Sequence, residues 1–402
     1  MNILNSGQKR VVEEAMEWSR SGMDQVFQVG GSAGTGKSFT AKYIIQSIGL
    51  SEENVLPIAY TGQAAIVMRT RGMMSAMTCH SALMEPVDSY VYDDNGKVVI
   101  DKRFNIPMTK TKFIPKKRLD PNIKLILIDE APMTPSNIAD IVKSFGLPII
   151  ALGDRYQLPP ITGDMGFFKP GSTVHYLTEL VRQSESNPIV YLANRAKNGE
   201  PIECGLYGKN ALVIYDDEFD NNLLSGSNIT LCYRNSTREN INNWVRKNII
   251  HTDRDVPMYN ERVICKKNNW GLTINGISLA NGLTGTVKSD IDVSNFNGKT
   301  FRMNFLPDLL NIPFIDISVD YEYLNSDSNK KKELKNNKFS IGEKFDYAYA
   351  STVHSAQGSE YDHGIYINEY AGDIQRNLDY TAITRFRKGL IYVKKRPKKF
   401  WI

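Results

Sequence analysis

Through the first 180 residues, short apolar runs alternate with amphipathic stretches. Val26 to Val29 is apolar, then comes a glycine-rich loop, then a helical pattern from Lys37 to about Ile48. Val55 to Tyr60, Lys124 to Asp129 and Leu147 to Asp154 are further apolar runs. Runs this short and uniform predict strands buried on both faces, and their alternation with helices predicts a parallel sheet covered on both sides. The pattern restarts at Asn228 to Arg234, a strand, followed by a helix with Ser236 as its expected N-cap. It closes with strands at 346–352 and 363–370, a helix at 377–388 and a last strand at 389–395.

Two stretches interrupt the alternation. In residues 83–117, Asn95-Gly96 lies between β-prone runs and predicts a hairpin from Tyr90 to Asp101, closed by a type I′ turn with positive φ at both central residues. Residues 256–343 hold short β-like runs separated by Asn-Gly turns with almost no helical period, which predicts a small β-rich insertion. Within it, the polar stretch 326–338 predicts an exposed loop or short helix.

Composition narrows the class without naming a chemistry. With 402 residues, 41% hydrophobic and 23% charged, the chain has the makeup of a multi-domain globular protein. No apolar run is long enough for a membrane span, and the polar, helix-like start predicts no signal peptide. Cys79, Cys204, Cys232 and Cys265 are widely spaced, which argues against a zinc site or disulfide framework and fits a reducing cytoplasm. The net charge of +5 is unremarkable, but seven basic and no acidic residues lie between Lys102 and Arg118, and seven basic residues between Arg387 and Lys399. Each cluster suits either a solvated loop or a polyanion contact.

The sharpest chemistry lies in residues 31–38, GSAGTGKS, between a predicted strand and a predicted helix. Glycines at that spacing let successive N–H groups face phosphates, and the helix N-terminus adds its dipole. Lys37 is expected to reach the β- and γ-phosphates and Ser38 to bind Mg²⁺. Asp129-Glu130 ends an apolar strand at the carboxyl edge of the same sheet, where Asp129 would hold the metal and Glu130 would activate the attacking water. Gln157, in GDRYQLPP, is a candidate sensor of the γ-phosphate or the water.

Taken together, these strings resemble superfamily 1 helicases, and within them the 1B branch of RecD-like and phage Dda-like enzymes. Gln8 matches the family's adenine-reading glutamine, GSAGTGKS its motif I and IDEAPM its motif II. GDRYQLPP matches motif III, LTELVRQSESNPI motif IV, STVHSAQGSEYD motif V and LDYTAITRFRK motif VI. The resemblance runs from Gln8 to Arg387 in the family's order. It implies a nucleotide site of Gln8, Gly31, Ala33, Gly34, Thr35, Gly36, Lys37, Ser38, Gly358 and Glu360. It also implies Arg182 at the γ-phosphate and Arg385 as arginine finger. Thr61, His80, Thr352 and His354 fall at strand-contact motifs, and Phe104 at the wedge of a strand-separating pin. Trp270, Tyr321 and Tyr323 are either core or base-stacking residues of the β-rich insertion. The chain departs from the family at Tyr60, Gln63, Pro132 and Ser355, where Pro, Lys, Ser and Lys are usual, and none of these removes a catalytic group.

The fold so implied is α/β, with two RecA-like P-loop domains. The first would comprise 1–82 and 118–181, with the hairpin 83–117 inserted. The second would comprise 182–255 and 344–402, with an SH3-like insertion at 256–343. The function implied is ATP-dependent 5′→3′ movement on single-stranded DNA and duplex unwinding, with ATP and Mg²⁺ as cofactors, in replication or recombination. Forked or tailed duplexes and single-strand-binding or replication proteins would be partners of a cytoplasmic monomer, with no membrane contact. Three rivals remain: a translocase that strips proteins or drives a nuclease complex, a regulatory nucleotide-binding module, and a small-molecule kinase. The second would need Glu130, Gln157 or Arg385 to be missing, and a second arginine-bearing domain disfavours the third.

Overall fold

The structure, a computed structural model, describes residues 4–32, 34–93, 95–101, 106–107, 109–179, 187–275, 277–292, 298–336 and 341–396. Helix α1 (Ser6–Ser21) opens on a reciprocal cap, in which the Asn5 side chain accepts the Gln8 N–H at 2.8 Å and Gln8 Oε1 accepts the Asn5 N–H at 3.1 Å. Such a box stabilises a helix start by about 1 kcal/mol. There follow β1 (Val26–Gly31), α2 (Lys37–Ser47), β2 (Val55–Ala59), α3 (Gly62–Thr70), β3 (Met77–Thr78) and α4 (Cys79–Leu83). A ribbon then leaves the domain as β4 (Met84–Tyr90), β5 (Ile100–Asp101), β6 (Ile106–Pro107) and β7 (Thr109–Pro115). The chain re-enters through β8 (Leu125–Asp129), α5 (Ser136–Ser144), β9 (Ile149–Gly153) and β10 (His175–Leu177).

These strands form one parallel sheet in the order β10-β1-β9-β8-β2-β3. Its two faces divide by the strand period of two. Leu125, Leu127, Ile150 and Leu152 pack under α1, α2 and α3, while Ile126, Ile128, Ile149 and Ala151 pack under α4 and α5. An apolar run such as Leu-Ile-Leu-Ile is what a strand covered on both sides requires.

In the ribbon, β4 and β7 pair antiparallel from Met84–Pro115 to Tyr90–Thr109, and the tip continues as a Tyr92–Val98 bridge. The turn is not the expected type I′ with Gly96 as a central residue: Gly96, at φ +75°, is the last residue of a reversal that begins at Asp93. Instead the Gly96 N–H donates to Asp93 O at 3.0 Å, and the Asp93 carboxylate accepts the N–H groups of Asn95 and Lys97 at 2.9 Å each. The Asp93 side chain thus supplies acceptors to the turn, and the glycine takes the left-handed conformation at no steric cost.

The second lobe begins with α6 (Pro188–Asn198), β11 (Gly205–Tyr207), β12 (Ala211–Tyr215), β13 (Thr230–Cys232) and α7 (Asn235–Asn248). The cap of α7 falls at Arg234 rather than Ser236. Glu369 explains the shift, because its carboxylate accepts the N–H groups of Tyr233 and Arg234 at 2.8 Å each and the Thr237 hydroxyl at 2.6 Å. A cap supplied from more than 130 positions away leaves no local signature.

The β-rich insertion comprises β14 (Arg262–Cys265), β15 (Asn269–Ile274), β16 (Ile277–Leu279), β17 (Thr284–Val287), β18 (Thr300–Pro307) and β19 (Phe314–Asp320), with short helices α8 (Tyr321–Asn325) and α9 (Ser328–Asn336). The expected strand over 346–352 is in fact two, β20 (Phe345–Tyr347) and β21 (Ala350–Thr352), in different sheets. β20 closes the inserted antiparallel sheet, ordered β19-β18-β17-β14-β20, so the boundary expected at 343/344 falls one strand too early. Buried Asp346 ties β20 to α7 through Arg238 at 2.8 Å and to α9 through Lys331 at 2.6 Å. The chain ends in β22 (Tyr361–Ile367), α10 (Gln375–Ile383) and β23 (Phe386–Lys394), completing a second sheet ordered β11-β12-β23-β22-β13-β21, parallel except at β11.

Although inserted in the second lobe, the β-rich sheet leans on the first. Ile66 of α3 lies within its core, and a Cβ added to Gly62 would meet Ala280 at 2.6 Å. Among the described residues no helix is long and apolar enough to cross a membrane.

Candidate active site

The loop between β1 and α2 is built on left-handed glycines, Gly34 at φ +85° and Gly36 at φ +84°. A side chain at either would strain the curl that turns backbone N–H groups toward a phosphate. Gly31 lies where an added Cβ would strike Thr35 Oγ1 at 2.5 Å, and that hydroxyl donates to Ser32 O at 2.9 Å. Lys37 folds over the loop, donating to Gly31 O at 2.7 Å and Ser32 O at 3.2 Å. Its ammonium can therefore exchange two carbonyls for phosphate oxygens without being freshly desolvated.

Gln8 joins this loop from α1. Its amide donates to Thr35 O at 3.2 Å, while its carbonyl end serves the helix cap. One side chain thus does a structural job at one end and faces the nucleotide loop at the other.

Gln8, Lys37, Ser38, Asp129, Glu130 and Gln157 line one cleft of about 650 Å³, and Gly358, Glu360 and Arg385 close it from the second lobe. Glu130 stands at φ +50°, ψ +39°, a conformation non-glycine residues adopt at a cost of about 1–3 kcal/mol. Burial pushes its carboxyl above the ordinary carboxylate range, Arg385 and Lys37 draw it back down, and Asp129 raises it further. Asp129 accepts the Glu130 N–H at 2.8 Å. Gln157 is 5% exposed, and its Oε1 has no hydrogen-bond partner among the described residues. A buried, unspent acceptor on a cleft wall is costly unless something else fills the cleft.

Arg385 is 3% exposed. It sits in the break between α10 and β23, held by long bonds to Thr381 O and Ser359 O, both at 3.2 Å, and to Thr384 Oγ1 at 3.3 Å. Gly358, at φ +80°, lets the second lobe approach α3, where an added Cβ would meet that of Ala64 at 3.0 Å. Glu360 bonds Arg71 at 2.9 Å across the cleft.

Arg71 also lines the cleft, and sequence reasoning missed it. A faint signal existed, since Ala64, Val67 and Arg71 have i, i+3, i+7 spacing and so share the face of α3 that meets the cleft. Ala33, Phe104 and Arg182 lie outside the described residues.

The four candidate strand-contact residues sit at carboxyl ends of strands, two in each lobe. Thr61 caps α3, accepting the Ala64 N–H at 3.3 Å, and Thr352 accepts the Ser355 N–H at 3.3 Å. His80 lies beside Tyr60 (ring centroids 6.3 Å apart) and His354 beside Tyr233 (6.0 Å). Burial lowers both imidazole pKa values, so each ring is neutral near pH 7 and suited to packing or hydrogen bonding rather than to attracting phosphate by charge. Of the possible base-stacking aromatics, Tyr323 is buried in the insertion and the Tyr321 hydroxyl donates to Asp255 at 2.9 Å.

Two parallel sheets face one another over a phosphate loop, with acids from one and an arginine from the other. That arrangement defines a two-domain P-loop nucleoside triphosphatase of the RecA kind. Residues 3–217 match the family described as an AAA domain, and residues 347–393 match the UvrD-like helicase C-terminal domain. The first match spans more than half of the chain, and the chain belongs to that family. It is 24% identical over 288 residues to the ATP-dependent DNA helicase Dda of Enterobacteria phage T4, covering 63% of this chain and 58% of that protein. It is 30% identical over 164 residues to the ATP-dependent DNA helicase Pif1 of Bdellovibrio bacteriovorus, covering 37% and 32%. The matched portion is thus under two thirds of either relative's length. The solved structure of Bacteroides Pif1 bound to single-stranded DNA shares the fold, with a TM-score of 0.56 at 18% identity over 98% of this chain and 92% of that one.

Proposed function

We propose that this protein is an ATP-dependent DNA helicase that moves 5′→3′ on single-stranded DNA and separates duplexes at a fork or tail. The single observation that carries this reading is the shared cleft. Lys37, Asp129, Glu130 and Gln157 line it from one lobe and Arg385 from the other, so one nucleotide can bind both. Two relatives named as ATP-dependent DNA helicases and a Pif1 structure holding single-stranded DNA support the nucleic-acid side of the reading.

In this reading Lys37 holds the β- and γ-phosphates and Glu130 takes a proton from the attacking water. Gln157 fixes that water, and Arg385 meets the charge that develops at the γ-phosphate. Arg182 is assigned to the same phosphate from its motif. Gln8 reads the base, the loop from Gly31 to Ser38 (Ala33 included) cradles the phosphates, and Gly358 and Glu360 close over the nucleotide. Mg²⁺ fits at Ser38 and Asp129, two oxygen donors on one cleft wall, where it would neutralise phosphate charge. Among the described residues no group of three or more His, Cys, Asp or Glu could hold a metal alone, and Mg²⁺ bound chiefly by substrate oxygens needs none.

Hydrolysis removes the contacts that draw the lobes together, and strand contacts at Thr61 and His80 on one lobe and Thr352 and His354 on the other then move apart. The ribbon 83–117, including Phe104, acts as the separating pin. The RecA-like portions are 1–82 with 118–181 and 182–255 with the chain after β20, enclosing the inserted sheet. A cytoplasmic monomer that works beside single-strand-binding or replication proteins completes the proposal. Strand displacement tests it: with ATP the protein should release the strand of a 5′-tailed duplex and not of a 3′-tailed one. Strand-stimulated ATP hydrolysis without release would leave a translocase, and no hydrolysis would end the reading.

A further inference from the structure

The loop that carries Gln157 follows β9 of the first sheet, yet the second lobe holds it. Leu158 is fully buried in the second lobe's hydrophobic core, among Leu192, Val353, Leu378 and Ile383. Its N–H donates to Thr381 Oγ1 at 2.9 Å, and its carbonyl accepts from Gln357 Nε2 at 3.1 Å. Asn377 Nδ2 donates to Tyr156 O at 3.0 Å and Gln157 O at 3.1 Å. The Tyr380 hydroxyl donates to Asp154, the first residue of the turn. Lys197 of α6 lies over the Tyr156 ring, 4.2 Å from its centroid. Local bonds fold the loop back on itself, as in the Gln157 N–H to Asp154 O at 3.1 Å, and Arg155 donates to the Tyr176 hydroxyl of β10 at 3.3 Å, but most contacts that hold it come from α10, α6 and Gln357.

Asn377, Tyr380 and Thr381 belong to the same helix, α10, that ends just before Arg385. Asp154 accepts from the residue five positions before that arginine. Gln157 and Arg385 are therefore both tied to α10, although their chain segments belong to different sheets. We propose that Asn377, Tyr380 and Thr381 are positioning residues that clasp the 154–158 loop to α10, so that Gln157 and Arg385 reach the γ-phosphate together as the lobes close. The proposal rests on the ATP-hydrolysing reading above. It gives that reading a safeguard, since water cannot be aligned by Gln157 until the lobe carrying Arg385 has also arrived.

Thr381→Val keeps shape and removes the acceptor for the Leu158 N–H, Thr381→Ser keeps the acceptor, and Asn377→Ala removes a donor from a partly exposed position. The assays are steady-state ATP hydrolysis with single-stranded DNA and binding of ADP with and without fluoroaluminate, which together mimic the transferring phosphoryl group. Thr381→Val and Asn377→Ala should lower kcat on the order of 100-fold, the cost of a misplacement near 1 Å, with KM for ATP held within about twofold. They should also lose the extra affinity that fluoroaluminate gives ADP, while ADP binding itself persists, and Thr381→Ser should restore both. Unchanged kcat in both variants, or a raised KM at constant kcat, overturns the clasp. If Thr381→Val does not fold, Asn377→Ala decides alone. A wild-type protein without ATPase activity would instead overturn the functional reading.

Discussion

Arg71 and Glu360 meet at 2.9 Å across the nucleotide cleft although 289 positions separate them in the chain. Their side chains are 30% and 32% exposed, and pairs as open as this contribute only about 0–1 kcal/mol to stability. Removing Arg71 should therefore barely alter Tm. Because Arg71 also lines the cleft, Arg71→Ala should raise KM for ATP several-fold. Glu360→Arg should do the same, and the double reversal Arg71→Glu with Glu360→Arg should recover part of the loss. A Tm drop of many degrees with KM unmoved would make the pair a structural tie.

Hydrolysis should depend on Lys37 and Glu130 in distinguishable ways. Lys37→Ala removes the ammonium that now rests on Gly31 O and Ser32 O, and should weaken ATP binding and abolish turnover. Glu130→Gln keeps shape and should retain ATP while abolishing turnover. Equilibrium binding of a fluorescent ATP analogue beside a phosphate-release assay separates the two. Normal strand-stimulated turnover in either variant rejects the assigned site.

Arg385→Ala should lower kcat by about 10³- to 10⁵-fold with little change in ground-state ATP affinity, because a finger acts on the transition state. A pH effect should accompany it. Glu130 works ionised, burial raises its pKa, and Arg385 is the largest influence lowering it. Removing the arginine should move the acid limb of the residual pH–rate profile to higher pH, whereas Arg385→Lys should leave the limb closer to wild type. A limb that stays put in Arg385→Ala would show that Glu130 does not titrate in the rate profile.

The ribbon should matter for separation and not for ATP use. Near its tip the two arms are hydrogen-bonded, with the Asp93 N–H donating to Lys97 O at 2.9 Å and the Val99 N–H to Val91 O at 2.8 Å. Replacing Tyr90 to Asp101 by a short Gly-Ser link should leave strand-stimulated ATPase nearly intact and abolish displacement from a tailed duplex. Retained displacement rejects the pin.

The phosphate loop, the acids after β8 and the two α/β lobes were legible in the chain because each rests on a local rule. A glycine pattern curls a loop, and a uniformly apolar run such as Leu125 to Ile128 predicts a strand covered on both faces. The motif resemblance added Arg385, whose role no local rule gives. Three features had no local cause and were decided by tertiary packing. Glu369 sets the start of α7, buried Asp346 ties β20 back to α7 through Arg238, and α10 holds the loop that carries Gln157. Each depends on a partner more than 100 positions away, and Arg71 gained its place only when the second lobe brought Glu360 to it. Backbone preference and hydrophobic period act over a few residues, so the sequence alone determined which elements form. Which element satisfies another's buried polar groups is a question of proximity, and only the folded chain supplies that.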